Sequence, residues 1–168
     1  MNIIKSFCSP ILFACLVGSM LAQKPKVGVV DDLALKLSFQ KGLEGLHENE
    51  KGTSLKTLNG QLNRRTTTIK LPGLKLESIH PEEFYSRCKN SVLAIGRLYK
   101  CGKCTKWHVS SASAFALTED GVIATNYHVV DTQEGVALGA MDSNGKTFVV
   151  SEVLAASKSD DVALLRLR

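Results

Sequence analysis

Hydrophobic and polar residues alternate with a period of two along the last half of the chain, which is typical of half-buried β-strands. Two tight-turn signals, Asp120-Gly121 and Asn144-Gly145, separate some of these stretches. Six short strands with little helix between them predict an all-β fold, a six-stranded antiparallel barrel that closes on itself. The predicted strands are residues 92–98, 111–117, 122–125, 135–141, 146–155 and 162–167.

Two other stretches have a helical pattern. Pro81 and the two glutamates after it are typical of a helix start, because proline fits the first turn and acidic side chains favour the positive end of the helix dipole. This helix is expected to end near Asn90. Residues 27–46 carry apolar side chains at helical spacing, and Gly42 and Gly45 are expected to end that helix.

Aromatic residues divide the chain. Phe39 is the single aromatic residue between positions 23 and 80, whereas residues 81–168 contain seven. Because large aromatic side chains anchor cores, residues 81–168 are predicted to form the barrel. Residues 23–80 are interpreted as a propeptide, a linker or a regulatory arm, with the polar stretch 48–65 as the linker within it.

The N-terminus has the features of a secretory signal peptide. A single positive charge at Lys5 precedes an apolar run over residues 11–17, and cleavage is expected near Ala22. The predicted signal is therefore 1–22, and the protein is expected to be exported to the periplasm or outside the cell. The apolar run is too short for a stable membrane span.

Composition and charge narrow the function classes. Hydrophobic residues make up 44% of the chain and charged residues 22%, as in ordinary globular proteins. A wholly disordered, collagen-like or coiled-coil chain is thereby excluded. The net charge of +5 is scattered along the sequence, so a nucleic-acid partner is not expected.

Polar residues interrupt the β pattern at two places. His128 follows the third predicted strand, and Asp160 and Asp161 come directly before the last one. Considered alone, such a histidine is ordinarily a surface or core residue, and such acids are ordinarily charges at a strand entry. Alternation places the two acids on opposite faces of the strand. One of them can then turn inward, where it needs a hydrogen-bond donor such as a histidine Nδ1–H.

Three pieces of sequence in this order resemble the first barrel of trypsin-like serine proteases, in particular the HtrA (Deg) branch. They are Ala112-Ser113-Ala114-Phe115, then Thr-Glu-Asp-Gly-Val-Ile-Ala-Thr-Asn-Tyr-His-Val-Val at 118–130, then Asp-Asp-Val-Ala-Leu-Leu at 160–165. The resemblance implies a serine endopeptidase that acts on proteins or peptides without a cofactor. It also implies that His128 is the general base and that Asp161, directly before the apolar strand, orients it. Ala112 and Ala114 stand where the family usually has glycine.

The family's nucleophile lies in a Gly-x-Ser-Gly segment of a second barrel, and this sequence contains no such segment. Ser110, Ser111 and Ser113 precede His128 on a predicted strand and are expected to be ordinary strand serines. We therefore expect the chain to hold the His and Asp without the Ser, and to be inactive alone. The exposed face is expected to require the missing second barrel or an oligomeric partner. The alternative is a non-catalytic secreted β-domain, a degenerate protease homologue that binds proteins or peptides.

A Cys-x-x-Cys segment lies between the first two predicted strands. In an oxidising compartment, Cys101 and Cys104 are most simply explained as a disulfide that staples the loop. A zinc knuckle is an alternative, in which His108 and Cys88 join these two cysteines as ligands. Free thiols are a further alternative. A thiol-redox module is disfavoured because the βαβ unit that usually carries one is not predicted.

Overall fold

The computed structural model describes residues 30–49, 51–73 and 78–168. The predicted signal peptide 1–22 lies outside the described residues. Among the described helices, none combines the length and the apolar character needed to cross a membrane. In chain order the elements are helices α1 (Asp32–Glu48), α2 (Leu55–Gly60) and α3 (Pro81–Cys88), strands β1 (Val92–Lys100), β2 (Trp107–Val109), β3 (Ala112–Ala116) and β4 (Val122–Thr125), helix α4 (Tyr127–Val130), and strands β5 (Ala137–Met141), β6 (Thr147–Ser157) and β7 (Val162–Leu167).

Six of the strands form a closed antiparallel barrel. Their order is β1-β3-β4-β7-β6-β5, and β5 pairs again with β1 to close it. The closing pairs run from Ala94 opposite Met141 to Leu98 opposite Ala137. The predicted all-β fold with a six-stranded antiparallel barrel is thus confirmed.

A seventh strand, β2, was not predicted. It pairs with the last three residues of β1, while β3 pairs with the first part of the same strand. Ser110 joins β2 to the β3 segment: its backbone N–H donates to the Arg97 carbonyl (3.1 Å), and its hydroxyl accepts from the Arg97 N–H (3.2 Å). The three residues of β2 therefore extend the edge of β3 along β1, and so short a strand leaves almost no alternation to detect.

Apolar side chains fill the barrel, as alternation along each strand requires. Strand β5 is buried on both of its faces. Leu138 and Ala140 point to the interior, whereas Ala137 and Met141 belong to a second cluster outside the barrel. Inward-facing core residues from the other strands are Leu93, Ile95, Ala114, Ile123, Val150, Val153, Ala156, Ala163 and Leu165.

Helix α1 covers the outer face of the closing strands. Its buried residues, Phe39 and Leu43, pack in that second cluster. Gly96 of β1 and Gly139 of β5 are directly paired beneath it. A Cβ atom on Gly139 would lie 2.4 Å from Leu43 Cδ2 and 2.5 Å from Phe148 O, and one on Gly96 would lie 1.8 Å from Ser110 O and 3.1 Å from Phe39 Cε1. Because the two glycines carry no side chain, the surface of the paired strands is flat enough for Phe39 and Leu43 to pack on it.

The prediction that Gly42 and Gly45 end helix α1 is wrong, because the helix continues to Glu48. Gly42 has a packing reason for its place in the interior of the helix. A Cβ atom there would lie 2.2 Å from Thr147 Oγ1 and 2.8 Å from Thr147 Cβ. Helix and strand approach so closely at this point that a side chain does not fit.

The stretch 48–65, which its polar composition indicated as a linker, contains helix α2. The Ser54 hydroxyl caps this helix by accepting from the Thr57 N–H at 3.2 Å. Leu55, Leu58 and Leu62 are buried in the same cluster as the barrel interior. Their helical spacing gives a narrow apolar face to a segment that is polar on average. The role of residues 23–80 as a propeptide, linker or regulatory arm stays a prediction.

The two glycines of α1, Gly42 and Gly45, provide a matched test of how closely the helix packs on the barrel. Gly45 has open space where a Cβ would lie. We therefore expect Gly45→Ala to raise the free energy of unfolding by up to about 1 kcal/mol, through helix propensity alone. We expect Gly42→Ala to lower it by about 1–3 kcal/mol, because the rigid Thr147 side chain cannot move aside. Urea unfolding measures both. Equal stabilisation by the two variants would contradict the close packing of α1 on β6.

Candidate active site

His128 lies in the short turn that follows β4. Thr125, the last residue of β4, is buried, and its hydroxyl donates to the Ser113 carbonyl at 2.9 Å. Helix α4 begins two residues later, and Val130 at its end is fully buried. These two anchors hold the turn against the barrel. The imidazole of His128 projects outward, with its side chain 71% exposed.

Asp161 ends the turn between β6 and β7. Its φ is +51°, and among the described non-glycine residues it alone has a positive φ. Aspartate tolerates this left-handed conformation better than most residues. Strand β7 starts immediately afterwards and pairs with β4, with Ala163 opposite Thr125. The barrel therefore brings the start of β7 beside the end of β4.

The two sequence-predicted residues meet at this point, 33 positions apart in the chain. His128 Nδ1 lies 2.8 Å from Asp161 Oδ2 and 3.0 Å from Oδ1. The backbone N–H of His128 also donates to Asp161 Oδ1, at 3.0 Å. The carboxylate is thus bonded to both the ring and the backbone of the same residue, which fixes the orientation of the imidazole.

The surroundings of Asp161 favour its ionised form. The backbone N–H of His128 holds the pKa of the Asp161 carboxyl below its usual value, and the His128 ring and the Asn126 amide act in the same direction, against partial burial. An ionised carboxylate can only accept hydrogen bonds, so Nδ1 must donate. In the neutral imidazole, Nε2 then carries the lone pair. A ring held in this way is arranged to accept a proton from the solvent side.

Asn126 is a site residue to which the sequence analysis assigned no role. Its Nδ2 donates to Asp161 Oδ2 at 3.1 Å and to the Asp161 carbonyl at 3.2 Å. It occupies the N-cap position of α4 but makes no side-chain cap. An asparagine before a helix is ordinarily interpreted as a cap. The sequence feature that could have indicated a role at the site, instead of helix capping, is that Asn126 lies two residues before His128.

Asp160 and the strand serines lie apart from this pair. Asp160 accepts a hydrogen bond from the Ser157 hydroxyl in its own turn. Ser110 is bonded to Arg97, and the Ser113 carbonyl to Thr125. Within the described part of the chain, no serine hydroxyl is hydrogen-bonded to His128 Nε2. The described residues thus bring His128 and Asp161 together without a serine hydroxyl bonded to the imidazole.

The cysteine segment forms a separate cluster in the loop between β1 and β2. Cys101 Sγ lies 3.1 Å from Cys104 Sγ, and Cys104 Sγ lies 3.0 Å from His108 Nε2. Both cysteines are thiols in this structure, as is Cys88, so the disulfide stays a prediction. Cys88 does not join the cluster as a fourth ligand, because β1 separates it from Cys101 and its nine residues span about 30 Å.

No protein-family model and no curated protein sequence matches the chain. Among solved structures, the chain is similar to the crystal structure of the serine endoprotease from Yersinia pestis, with 16% sequence identity and a TM-score of 0.39. The match covers 54% of this chain and 30% of that one. The barrel described above rests on its own strand pairing and does not depend on this similarity.

The lowered pKa of Asp161 predicts how stability changes in acid. Between the pKa of the folded state and the higher pKa of the unfolded state, the unfolded chain binds more protons, so stability rises with pH. The contribution of Asp161 is therefore present above the usual aspartate pKa and is lost as pH falls through the lowered value. We expect Asp161→Asn to show a shallower loss of stability in this acid range, measured by urea midpoints at a series of pH values.

Two features make this comparison specific. Asparagine tolerates the positive φ at position 161, so Asp161→Asn keeps the backbone and removes the charge. The neighbouring variant Asp160→Asn is the control, because Asp160 contacts Ser157 and not His128. If stability falls as steeply with decreasing pH in Asp161→Asn as in the wild type, the hydrogen bonding assigned to the Asp161 carboxylate is contradicted.

Proposed function

We propose that this chain contributes the general base and the orienting acid of a trypsin-like serine endopeptidase of the HtrA branch. The observation that carries the proposal is the 2.8 Å contact between His128 Nδ1 and Asp161 Oδ2, which leaves Nε2 facing solvent. The order of the sequence pieces that resemble the family supports it. The protein is proposed to be exported, on the basis of its N-terminal sequence, and to act on proteins or peptides.

In the proposed mechanism, His128 moves the proton and Asp161 keeps the ring in place. A serine hydroxyl donates to Nε2, and Nε2 takes its proton as the serine oxygen attacks the peptide carbonyl carbon. Asp161 stabilises the imidazolium that forms. Nε2 then protonates the leaving amine as the C–N bond breaks. Water repeats the sequence on the acyl ester, which releases the second product and restores the serine.

Asn126 has a positioning role in this mechanism. Its amide bonds both the side chain and the backbone carbonyl of Asp161. It holds the acid without contacting the imidazole nitrogen that reacts. In this it supplements the backbone N–H of His128, so the carboxylate has three donors around it.

The proposed serine comes from a second barrel, whether in the same polypeptide or in a partner chain. The outer surface of β3 and β7 is consistent with such a partner. Phe115 on β3 is 55% exposed, and Val162, next to Asp161, is 43% exposed. Exposed apolar side chains on these two strands support an expectation that another surface covers them.

The test uses the complete reading frame, including any sequence that follows Arg168, and a fluorophosphonate probe that labels activated serines. We expect labelling and peptide hydrolysis in the wild type. We expect His128→Ala and Asp161→Asn each to lower kcat/KM by about 10⁴-fold, because the base is lost or its tautomer is no longer fixed. Asp160→Asn and His80→Ala are the matched controls and are expected to retain activity.

The 168-residue chain by itself is expected to remain unlabelled. Hydrolysis that survives His128→Ala in the complete protein would overturn the assigned role of His128. A folded complete protein that presents no reactive serine would overturn the enzyme hypothesis and favour the non-catalytic binding domain.

A further inference from the structure

The loop between β1 and β2 gathers three metal-ligating side chains. The ligand atoms of Cys101, Cys104 and His108 all lie within 4.8 Å of one another. The two thiols and the imidazole belong to three different places in a short hairpin: the residue after β1, the loop, and the middle of β2. This clustering is not required by the barrel, because these polar side chains take no part in either apolar core.

The framework beneath the loop is fixed. His108 pairs with Tyr99 across the β1–β2 ladder, and their rings lie 5.5 Å apart. Trp107, its neighbour, contacts His47 of helix α1 edge to face at 5.4 Å. The imidazole therefore stands on a strand held from two sides, while the cysteines lie on the more exposed loop that can adjust toward it.

The spacing of the ligand atoms is close to that of a tetrahedral zinc site. With Zn–S of about 2.3 Å and Zn–N of about 2.0–2.1 Å, tetrahedral angles put two sulfurs about 3.8 Å apart and a sulfur and a nitrogen about 3.6 Å apart. The Cys101–Cys104 and Cys104–His108 distances are 3.1 and 3.0 Å. Each pair needs to open by less than about 1 Å, which an exposed loop permits.

The electrostatics favour thiolates here. Lys100, Lys103 and Lys106 lie in the same segment and contribute positive charge. Thiolate is the form of cysteine that binds metal.

We propose that Cys101, Cys104 and His108 bind a Zn²⁺ ion, in place of the disulfide expected between the two cysteines, with the fourth tetrahedral position open to water. Binding forms two Zn–S bonds and one Zn–N bond, and each thiol that ligates releases its proton to the buffer. The apparent affinity therefore weakens as pH falls. The site is independent of His128 and Asp161, and it closes the β1–β2 hairpin at its tip.

The experiment titrates the reduced, metal-free 168-residue chain with Co²⁺ as a spectroscopic probe, followed by Zn²⁺. We expect one Co²⁺ per chain, thiolate-to-cobalt charge-transfer absorption, the visible bands of a tetrahedral ion, and displacement by equimolar Zn²⁺. Cys101→Ser, Cys104→Ser and His108→Asn are each expected to weaken binding by at least about 100-fold. Urea midpoints without metal show whether the variants remain folded.

Matched controls are available for both kinds of ligand. Cys88→Ser and His80→Asn remove a cysteine and a histidine outside the cluster, and both are expected to bind Co²⁺ as the wild type does. A reduced wild-type chain that binds no Co²⁺ would overturn the proposal. So would binding that Cys88→Ser weakens as much as Cys104→Ser does, or binding that no single ligand variant changes.

Discussion

The pairing of β5 with β1 is the contact on which the rest of this structure depends. Five residue pairs close the barrel and leave neither strand as a free edge along that stretch. The central pair is Gly96 opposite Gly139, and it leaves the outer surface flat enough for Phe39 and Leu43. Closure and the attachment of helix α1 therefore use the same two strands. A side chain at either glycine would oppose the helix and would also meet the backbone of a neighbouring segment, Ser110 O in the case of Gly96 and Phe148 O in the case of Gly139.

The barrel holds the His128–Asp161 pair, and the contribution of the pair to stability in return is small and pH-dependent. Their side chains are 71% and 44% exposed, so solvent screens the attraction between the two groups, and the lowered pKa of Asp161 confines its contribution to pH values above the acid range. Asp161 also adopts a left-handed backbone conformation, which is unfavourable for most residues. The pairing of β4 with β7 compensates for it, because Ala163 and Thr125 are fixed opposite each other just beyond the site. Orientation of the imidazole, rather than stability, is what the pair provides.

Period-two alternation was sufficient to predict the six barrel strands, and the resemblance was sufficient to select His128 and Asp161, which the structure brings together. The features of the structure that the sequence did not predict depend on contacts between distant segments of the chain. Glycine normally favours the end of a helix. Gly42 lies inside α1 because Thr147 approaches the helix too closely there for a side chain to fit. Helix α2 was not predicted because its three buried leucines give only a weak apolar pattern among polar neighbours. Asn126 was overlooked because its bond to Asp161 crosses 35 positions of sequence.

The cysteines show why spacing alone left several interpretations open. Disulfide, zinc and free-thiol hypotheses all need Cys101 and Cys104 close together, and a Cys-x-x-Cys turn satisfies each of them. The direction of β1 decides which further residue can join Cys101 and Cys104 as a ligand, because the two ends of an extended strand lie far apart. Cys88 precedes that strand and Cys101 follows it, whereas His108 returns on β2 to face the loop. A hairpin therefore gathers the ligands that follow β1 and excludes the one before it. The donor set is consequently two sulfurs and one nitrogen, and a tetrahedral ion bound there keeps one position open.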